Sequence, residues 1–162
     1  MQMGKILVAQ HDGAFVIKLV GDVRLTLCNT IDDYFSEMFS CPHFVGVIID
    51  LSESEGIDST SLGLLAKLAI QAKLKHQLVP MIISPNPNIT RLLDSMGFNK
   101  VFDICQAVEQ PLDDNLGELP VINADQECTR QKIIEAHRTL MDLNEENRQT
   151  FSSLVNTLEV SA

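Results

Sequence analysis

An α/β fold with a mixed sheet is predicted by three observations. From Lys5 to Ile104, apolar runs of strand length alternate with segments whose apolar residues recur every three or four positions. The first two runs are separated by His11-Asp12-Gly13, and Asp-Gly between apolar runs is a hairpin signal. The most apolar run, Phe44 to Leu51, is followed after a short polar stretch by a long helical pattern, the order of a strand and its crossover.

Taken in order, Lys5 to Ala9 and Ala14 to Val20 are two short strands pairing antiparallel. From Leu25 to Phe39 the spacing of Leu27, Ile31, Tyr34, Phe35, Met38 and Phe39 predicts a first helix, with Pro42 just beyond it. Phe44-Val45-Gly46-Val47-Ile48-Ile49-Asp50-Leu51 is a buried strand. Leu62, Leu65, Ala66, Ala69 and Ile70 place a second helix from about Ser59 to His76. Leu78 to Ile83 is another strand, and Pro80 puts it at a sheet edge or marks a strand start, because proline donates no ladder hydrogen bond. Asn88 is expected to cap a short helix through Met96, Gly97 to stop it, and Val101 to Ile104 to form a last strand. The expected sheet therefore has four to five strands with helical crossovers.

The division expected is one domain over residues 1–110, a linker over 111–123 and an amphipathic helical extension over 124–162. Asp113-Asp114-Asn115, Gly117 and Pro120 make the linker rich in turn formers. Ile133, Leu140, Phe151, Leu154 and Leu158 form an apolar stripe in the extension, interrupted at Asn144 and Asn147. Unbroken, the helix would run on the order of 50 Å. Three fates for its apolar face stay open: docking on its own domain, pairing with a second copy as a homodimer, or ordering on a partner.

A formal net charge of −10 argues against direct nucleic-acid binding, which needs clustered Lys and Arg. No apolar run approaches the ~18 to 20 residues that span a bilayer, and no apolar leader precedes Lys5, so a soluble, cytoplasmic protein is expected. Cys28, Cys41, Cys105 and Cys128 have no metal-ligand spacing, and the four histidines are scattered; neither metal nor cofactor is expected.

The run Asp58-Ser59-Thr60-Ser61-Leu62-Gly63 puts hydroxyl residues where a helix begins, and Ser, Thr and Asp there accept hydrogen bonds from the free N–H groups of a first turn. The run resembles the Asp-Ser-(Ser/Thr)-Gly-Leu-Gly motif of the STAS domain of bacterial anti-sigma factor antagonists. Ser84-Pro85 followed by Arg91-Leu92-Leu93-Asp94-Ser95-Met96-Gly97-Phe98 is similar to a second, later segment of that family. Gly21-Asp22-Val23-Arg24 matches the early Gly-Glu-(Leu/Ile)-Asp in part, with arginine at the acidic fourth place, and Ser61 stands where the motif has glycine. The resemblance covers roughly residues 5–108.

The resemblance implies a STAS-type fold and a non-enzymatic regulator. Ser59 corresponds to the regulatory phosphorylation site, with Thr60 the second choice; Asp22, Arg24, Asp58, Thr60, Ser61, Leu62 and Gly63 are the residues expected to orient the site or meet a partner. The implied partners are an anti-sigma factor of serine-kinase or non-kinase type, a serine kinase, and a PP2C-type phosphatase, the last two carried in some systems on one response regulator. A different role for the same domain is a small-ligand or scaffold module in a sensory complex, with the C-terminal helix as its assembly element. A serine hydrolase is disfavoured, because Ser59 lacks a Gly-x-Ser-x-Gly setting and no motif places a histidine as its base. His137, in Ala136-His137-Arg138-Thr139-Leu140, is read as a helix-surface or interface residue rather than a phosphotransfer histidine.

Overall fold

The computed structural model describes residues 2–108 and 115–160. Strands β1 (Lys5–His11) and β2 (Ala14–Val23) form the expected hairpin, in register from Lys5↔Val20 to His11↔Ala14. Asp12 and Gly13 both have positive φ, 50° and 86°, the backbone that a two-residue turn between twisted strands demands. A Cβ at Gly13 would also lie 1.7 Å from the His43 carbonyl oxygen, so only glycine fits.

A single 3-10 turn (Leu25–Leu27) leads into α1 (Cys28–Phe39), and β3 (Gly46–Asp50) then pairs parallel with the first half of β2. Next comes β4 (Ser54–Ile57), short and buried only at its two ends, which the sequence does not announce. Near Gly21 and Asp22 the register of β2 shifts and its last residues pair with β4, ending at Val23↔Ile57. Helix α2 (Ser59–His76) starts two residues beyond that pair. Strand β5 (Met81–Ile83) begins directly after Pro80 and lies inside the sheet, so Pro80 marks a strand start; its carbonyl accepts the Asp103 N–H at 2.9 Å. Helix α3 (Pro87–Ser95) is capped by Asn86 and not by Asn88. Pro87 takes the first helical position, where its missing N–H costs nothing, and Asn86 Oδ1 accepts the Asn88 N–H at 3.0 Å. Gly97 follows with left-handed φ, as expected of a helix stop, and β6 (Asp103–Cys105) ends the crossover unit.

Part of the expected linker, residues 111–114, lies outside the described residues, as do 109 and 110. Further on, Gly117–Glu118 forms β7 against β1, and Thr30 Oγ1 accepts the Ile122 N–H at 2.8 Å, so this stretch is fastened to the sheet and to α1. The sheet order is β6-β5-β3-β2-β1-β7, with β4 beside the end of β2: seven strands among the described residues, two more than the apolar runs suggest.

The extension folds as two helices, α4 (Gln126–Met141) and α5 (Glu145–Val160). Asp125 caps the first through the Cys128 N–H at 2.7 Å; Asn144 caps the second through the Asn147 N–H at 2.8 Å, so the polar break in the stripe is a chain reversal. The pair docks on its own domain. Ile134, Ala136, Leu140, Leu143, Phe151 and Val155 are buried, and the hairpin turn is held by Lys100 Nζ donating to the Leu143 carbonyl at 2.7 Å. Of the expected apolar stripe, Leu140 and Phe151 are buried within the chain, Ile133 and Leu158 are half-buried, and Leu154 stays exposed. Each fully buried aliphatic side chain there contributes about 1.5–3 kcal/mol.

Close approach of α4 to α2 depends on Gly63, where a Cβ would lie 2.3 Å from the Ala136 carbonyl oxygen. In an isolated helix, Gly63→Ala would stabilise by roughly 1 kcal/mol. Against a fixed α4 it overpacks, at a cost of about 1–3 kcal/mol. Gly63→Ala is therefore expected to lower the urea unfolding free energy by up to about 2 kcal/mol net; a more stable variant would show that α4 does not sit on Gly63.

Candidate functional site

The site is the N-terminal end of α2. Its parallel partner strands β2 and β4 finish side by side, which brings Asp22 and Arg24 next to Asp58. Asp58 caps the helix with extended backbone: Oδ1 accepts the Ser61 N–H at 2.9 Å and Oδ2 accepts the Leu25 N–H at 2.7 Å. One carboxylate thus joins α2 to the turn before α1. Arg24 Nε donates to Asp22 Oδ2 at 2.7 Å, and that hydrogen bond with the Asp22 charge holds the exposed guanidinium even more firmly protonated than usual. The arginine that departs from the expected acidic residue is therefore neutralised locally.

The three consecutive hydroxyls have different surroundings. Ser59 is half-buried, Thr60 is 4% exposed and Ser61 is fully buried. Leu62 is a core residue and Gly63 lies under α4, so among the expected partner-contacting residues Thr60, Ser61, Leu62 and Gly63 are covered in this structure, while Asp22, Arg24, Asp58 and Ser59 form the accessible rim. Sequence reasoning put them together because the motif is contiguous; a helix turns each successive residue by about 100°, and adjacent positions face different ways.

Ser61 Oγ is buried with no hydrogen-bond partner among the described residues. A buried hydroxyl left unpaired costs about 1–3 kcal/mol. Ser61→Ala is expected to raise the unfolding free energy by about 1 kcal/mol or more in chemical denaturation, and a loss of similar size would mean that the hydroxyl has a partner.

Ser59 has one, and it comes from the extension. Its Oγ lies 2.8 Å from Nε2 of His137, a residue only 2% exposed. His137 Nδ1 lies 2.7 Å from the Ile133 carbonyl oxygen, which can only accept, so Nδ1 carries a proton, and in the neutral ring Nε2 accepts the Ser59 hydroxyl. The ring packs edge-on against Phe151, with centroids 5.1 Å apart. His137 is thus an interface residue buried between helices, not a surface one. A serine with a histidine acceptor has the first half of a nucleophilic arrangement. The remainder is missing among the described residues: His137 is oriented by a backbone carbonyl rather than a carboxylate, and the nearby cavity of about 390 Å³ is lined by Asp22, Arg24, Asp58, Asn88 and Leu92 among others but by neither Ser59 nor His137.

Ion pairs extend the same seam. Lys67 Nζ contacts Asp32 at 3.2 Å and Glu135 at 2.8 Å, and Lys132 Nζ contacts Asp32 at 2.9 Å, tying α1, α2 and α4 together. Burial works against charge at Asp32, but the hydrogen bond from Lys132 and the charge of Lys67 outweigh it and hold the carboxyl below the ordinary aspartate range. None of these four residues is singled out by a sequence motif. The readable signal was that α2 is apolar nearly all round, with Leu62, Leu64, Leu65, Ala66, Leu68 and Ala69 all buried, so its outer side needed a cover.

The STAS-domain family model matches residues 5–111, more than half of the chain. The chain belongs to the STAS-domain family. The match ends before α4, so the α4–α5 hairpin lies outside the matched residues. Among solved structures, the anti-sigma factor antagonist SpoIIAA in its unphosphorylated form is similar with a TM-score of 0.53 at 16% identity, over 65% of this chain and 90% of that one. The Bacillus cell-fate determinant SpoIIAA in its phosphorylated form gives 0.53 at 16% identity, over 65% and 92%. An anti-sigma factor antagonist from Mycobacterium paratuberculosis gives 0.56 at 21% identity, over 66% and 89%. At such identities these likenesses establish the fold. No curated protein matches the chain by sequence. Among the described residues no helix is long and apolar enough to cross a membrane.

The lowered Asp32 pKa sets a pH dependence. Because the folded value lies below the unfolded one, the stabilisation is complete above about pH 4 and is lost as the pH falls through the folded value. Wild-type protein should therefore lose stability relative to Asp32→Asn on acidification below about pH 4. Parallel urea–pH titrations of the two proteins measure this, and parallel curves would remove Asp32 as the titrating group.

Proposed function

We propose that this STAS protein is an anti-sigma factor antagonist in a partner-switching circuit, with Ser59 as its phosphorylation site and Thr60 as a poorer acceptor. The observation that carries this reading is the exposure pattern of the three hydroxyls. Only Ser59 is more than marginally accessible, and it is also the motif serine at the first position of α2. A phosphate there would carry about −1.5 to −2 charge at neutral pH. The partial positive charge of a helix N-terminus tolerates such a group within the STAS core. A protein seated over the same rim would meet that added charge beside Asp22, Asp58 and Glu55. Modification can therefore end binding while the sheet stays folded.

In this reading the unmodified protein binds an anti-sigma factor and frees a sigma factor, a serine kinase blocks the interaction, and a PP2C-type phosphatase restores it. It works in the cytoplasm, without catalysis of its own and without touching nucleic acid. Phosphopeptide mapping of protein from its native cell should find phosphate on Ser59. Ser59→Asp should bind the co-purifying sigma-regulatory protein at least about tenfold more weakly than Ser59→Ala, with both variants retaining a folded sheet. Equal binding by the phosphorylated and unmodified forms would exclude the switch.

A further inference from the structure

Ser59, Gly63 and Lys67 are spaced by four residues and so lie in one row on α2. Each meets α4: Ser59 the His137 ring, Gly63 the Ala136 backbone and Lys67 the Glu135 carboxylate. The face that presents Ser59 is thus already occupied by a segment outside the family match. We propose that the outer face of α2 is an interaction surface that the α4–α5 hairpin and a phosphoryl group on Ser59 occupy in mutual exclusion, so that phosphorylation of Ser59 evicts the hairpin. The proposal rests on Ser59 being the modified residue.

The geometry supplies the cause. A serine kinase transfers the γ-phosphoryl group of a nucleoside triphosphate: the Ser59 Oγ–P bond forms, the bond from that phosphorus to the departing diphosphate breaks, and the hydroxyl proton leaves with the kinase base. That proton is the one donated to His137 Nε2. After transfer, the added group needs space in a contact that is 2.8 Å long, and a neutral ring offers Nε2 as an acceptor to acceptor oxygens only. His137 has no room to retreat, being buried and packed on Phe151, while the neighbouring Ala136 backbone is set against Gly63. Relief comes by moving α4 as a body, and α5 goes with it, because Asn147 Nδ2 donates to the Leu140 carbonyl at 2.8 Å. A hinge is in place: Ile122 is fastened to Thr30, whereas Asn123, Ala124 and Asp125 are exposed and outside any helix or strand. The same eviction is required of any protein that docks over Ser59, so the hairpin also sets the threshold for partner binding.

Hydrogen exchange with mass spectrometry on the full chain, with phosphoserine genetically installed at position 59, tests this without any partner or kinase. Amides of residues 126–160 should exchange at least about tenfold faster than in the unmodified protein while β1, β2 and β3 keep their protection. Ser59→Ala, small and neutral, should leave the hairpin protected, and His137→Ala should loosen it without added charge. Unchanged protection of 126–160 in the phosphoserine protein overturns the proposal, as it would if His137 took a proton and held the phosphate. Loss of protection spread equally over β1–β3 overturns it too, because the hairpin would then be part of the core. Either failure leaves the anti-sigma reading standing, and failure to bind a sigma-regulatory protein leaves this one standing.

Discussion

Helix α2 is buried on two sides, and much of the rest of the molecule follows from that constraint. Its eighteen residues include a nearly unbroken apolar run from Leu62 to Ala69, interrupted only by Lys67. The sheet can cover only one side of a helix, since the rows that face it recur at three- and four-residue intervals and leave Ser59, Gly63 and Lys67 turned away. A second layer is therefore required, and α4 supplies it. Gly63 sets how close that layer comes, because backbone meets backbone there with no side chain between. Once Ala136 is seated on Gly63, His137 falls within hydrogen-bond distance of Ser59 and Glu135 within reach of Lys67. The polar contacts give the docked hairpin its position; the apolar burial of Leu140, Leu143 and Phe151 gives most of the energy.

Asp58 plays the corresponding part between sheet and helix. The sheet ends at Val23↔Ile57, and the next residue turns the chain into α2 while its two carboxylate oxygens satisfy N–H groups from two different elements. Such a residue fixes where the helix starts and also its tilt against the turn before α1. That explains why two departures from the family motif do not disturb the frame. Arg24 turns to Asp22 on the exposed rim, and Ser61 keeps its backbone hydrogen bond to Asp58 whatever its side chain does.

Elements with a strong local signal were legible in the sequence. The β1–β2 hairpin followed from Asp12-Gly13, α1 and α2 from apolar spacing, and the end of α3 from Gly97, whose left-handed backbone is where helices stop. The cap of α3 was misplaced by two residues because Pro87, ordinarily a breaker, is favourable at a first helical position. Strand β4 was missed because Ser-Glu-Gly-Ile has neither length nor apolar alternation; its pairing depends on the register shift in β2, a tertiary event. Strand β7 was missed for the same reason, as a two-residue strand is defined only by its neighbour. At the site, the motif put Asp58 and Ser59 at the start of a helix, and that is where they lie. It could not tell that Ser61 and Leu62 point inward, nor that a histidine 78 residues away in sequence would be the partner of Ser59.

The docked extension changes what a charge at Ser59 means energetically. In a STAS core alone, the only structural question is whether the start of α2 tolerates a phosphate, and a helix N-terminus does. Here the same oxygen belongs to two environments. One is the helix end, with free N–H groups that favour negative charge; the other is the seam to α4, where a neutral His137 ring, its proton turned to Ile133, calls for a donor. A modification that the first environment accepts is one that the second rejects. In the proposed eviction the conflict is resolved by separating the two layers rather than by unfolding either, since Ser59 makes no contact in the strand pairing that holds the sheet among the described residues. On that proposal a small chemical change at the first residue of one helix acts on the thirty-odd residues of α4 and α5, because they are the layer that meets it.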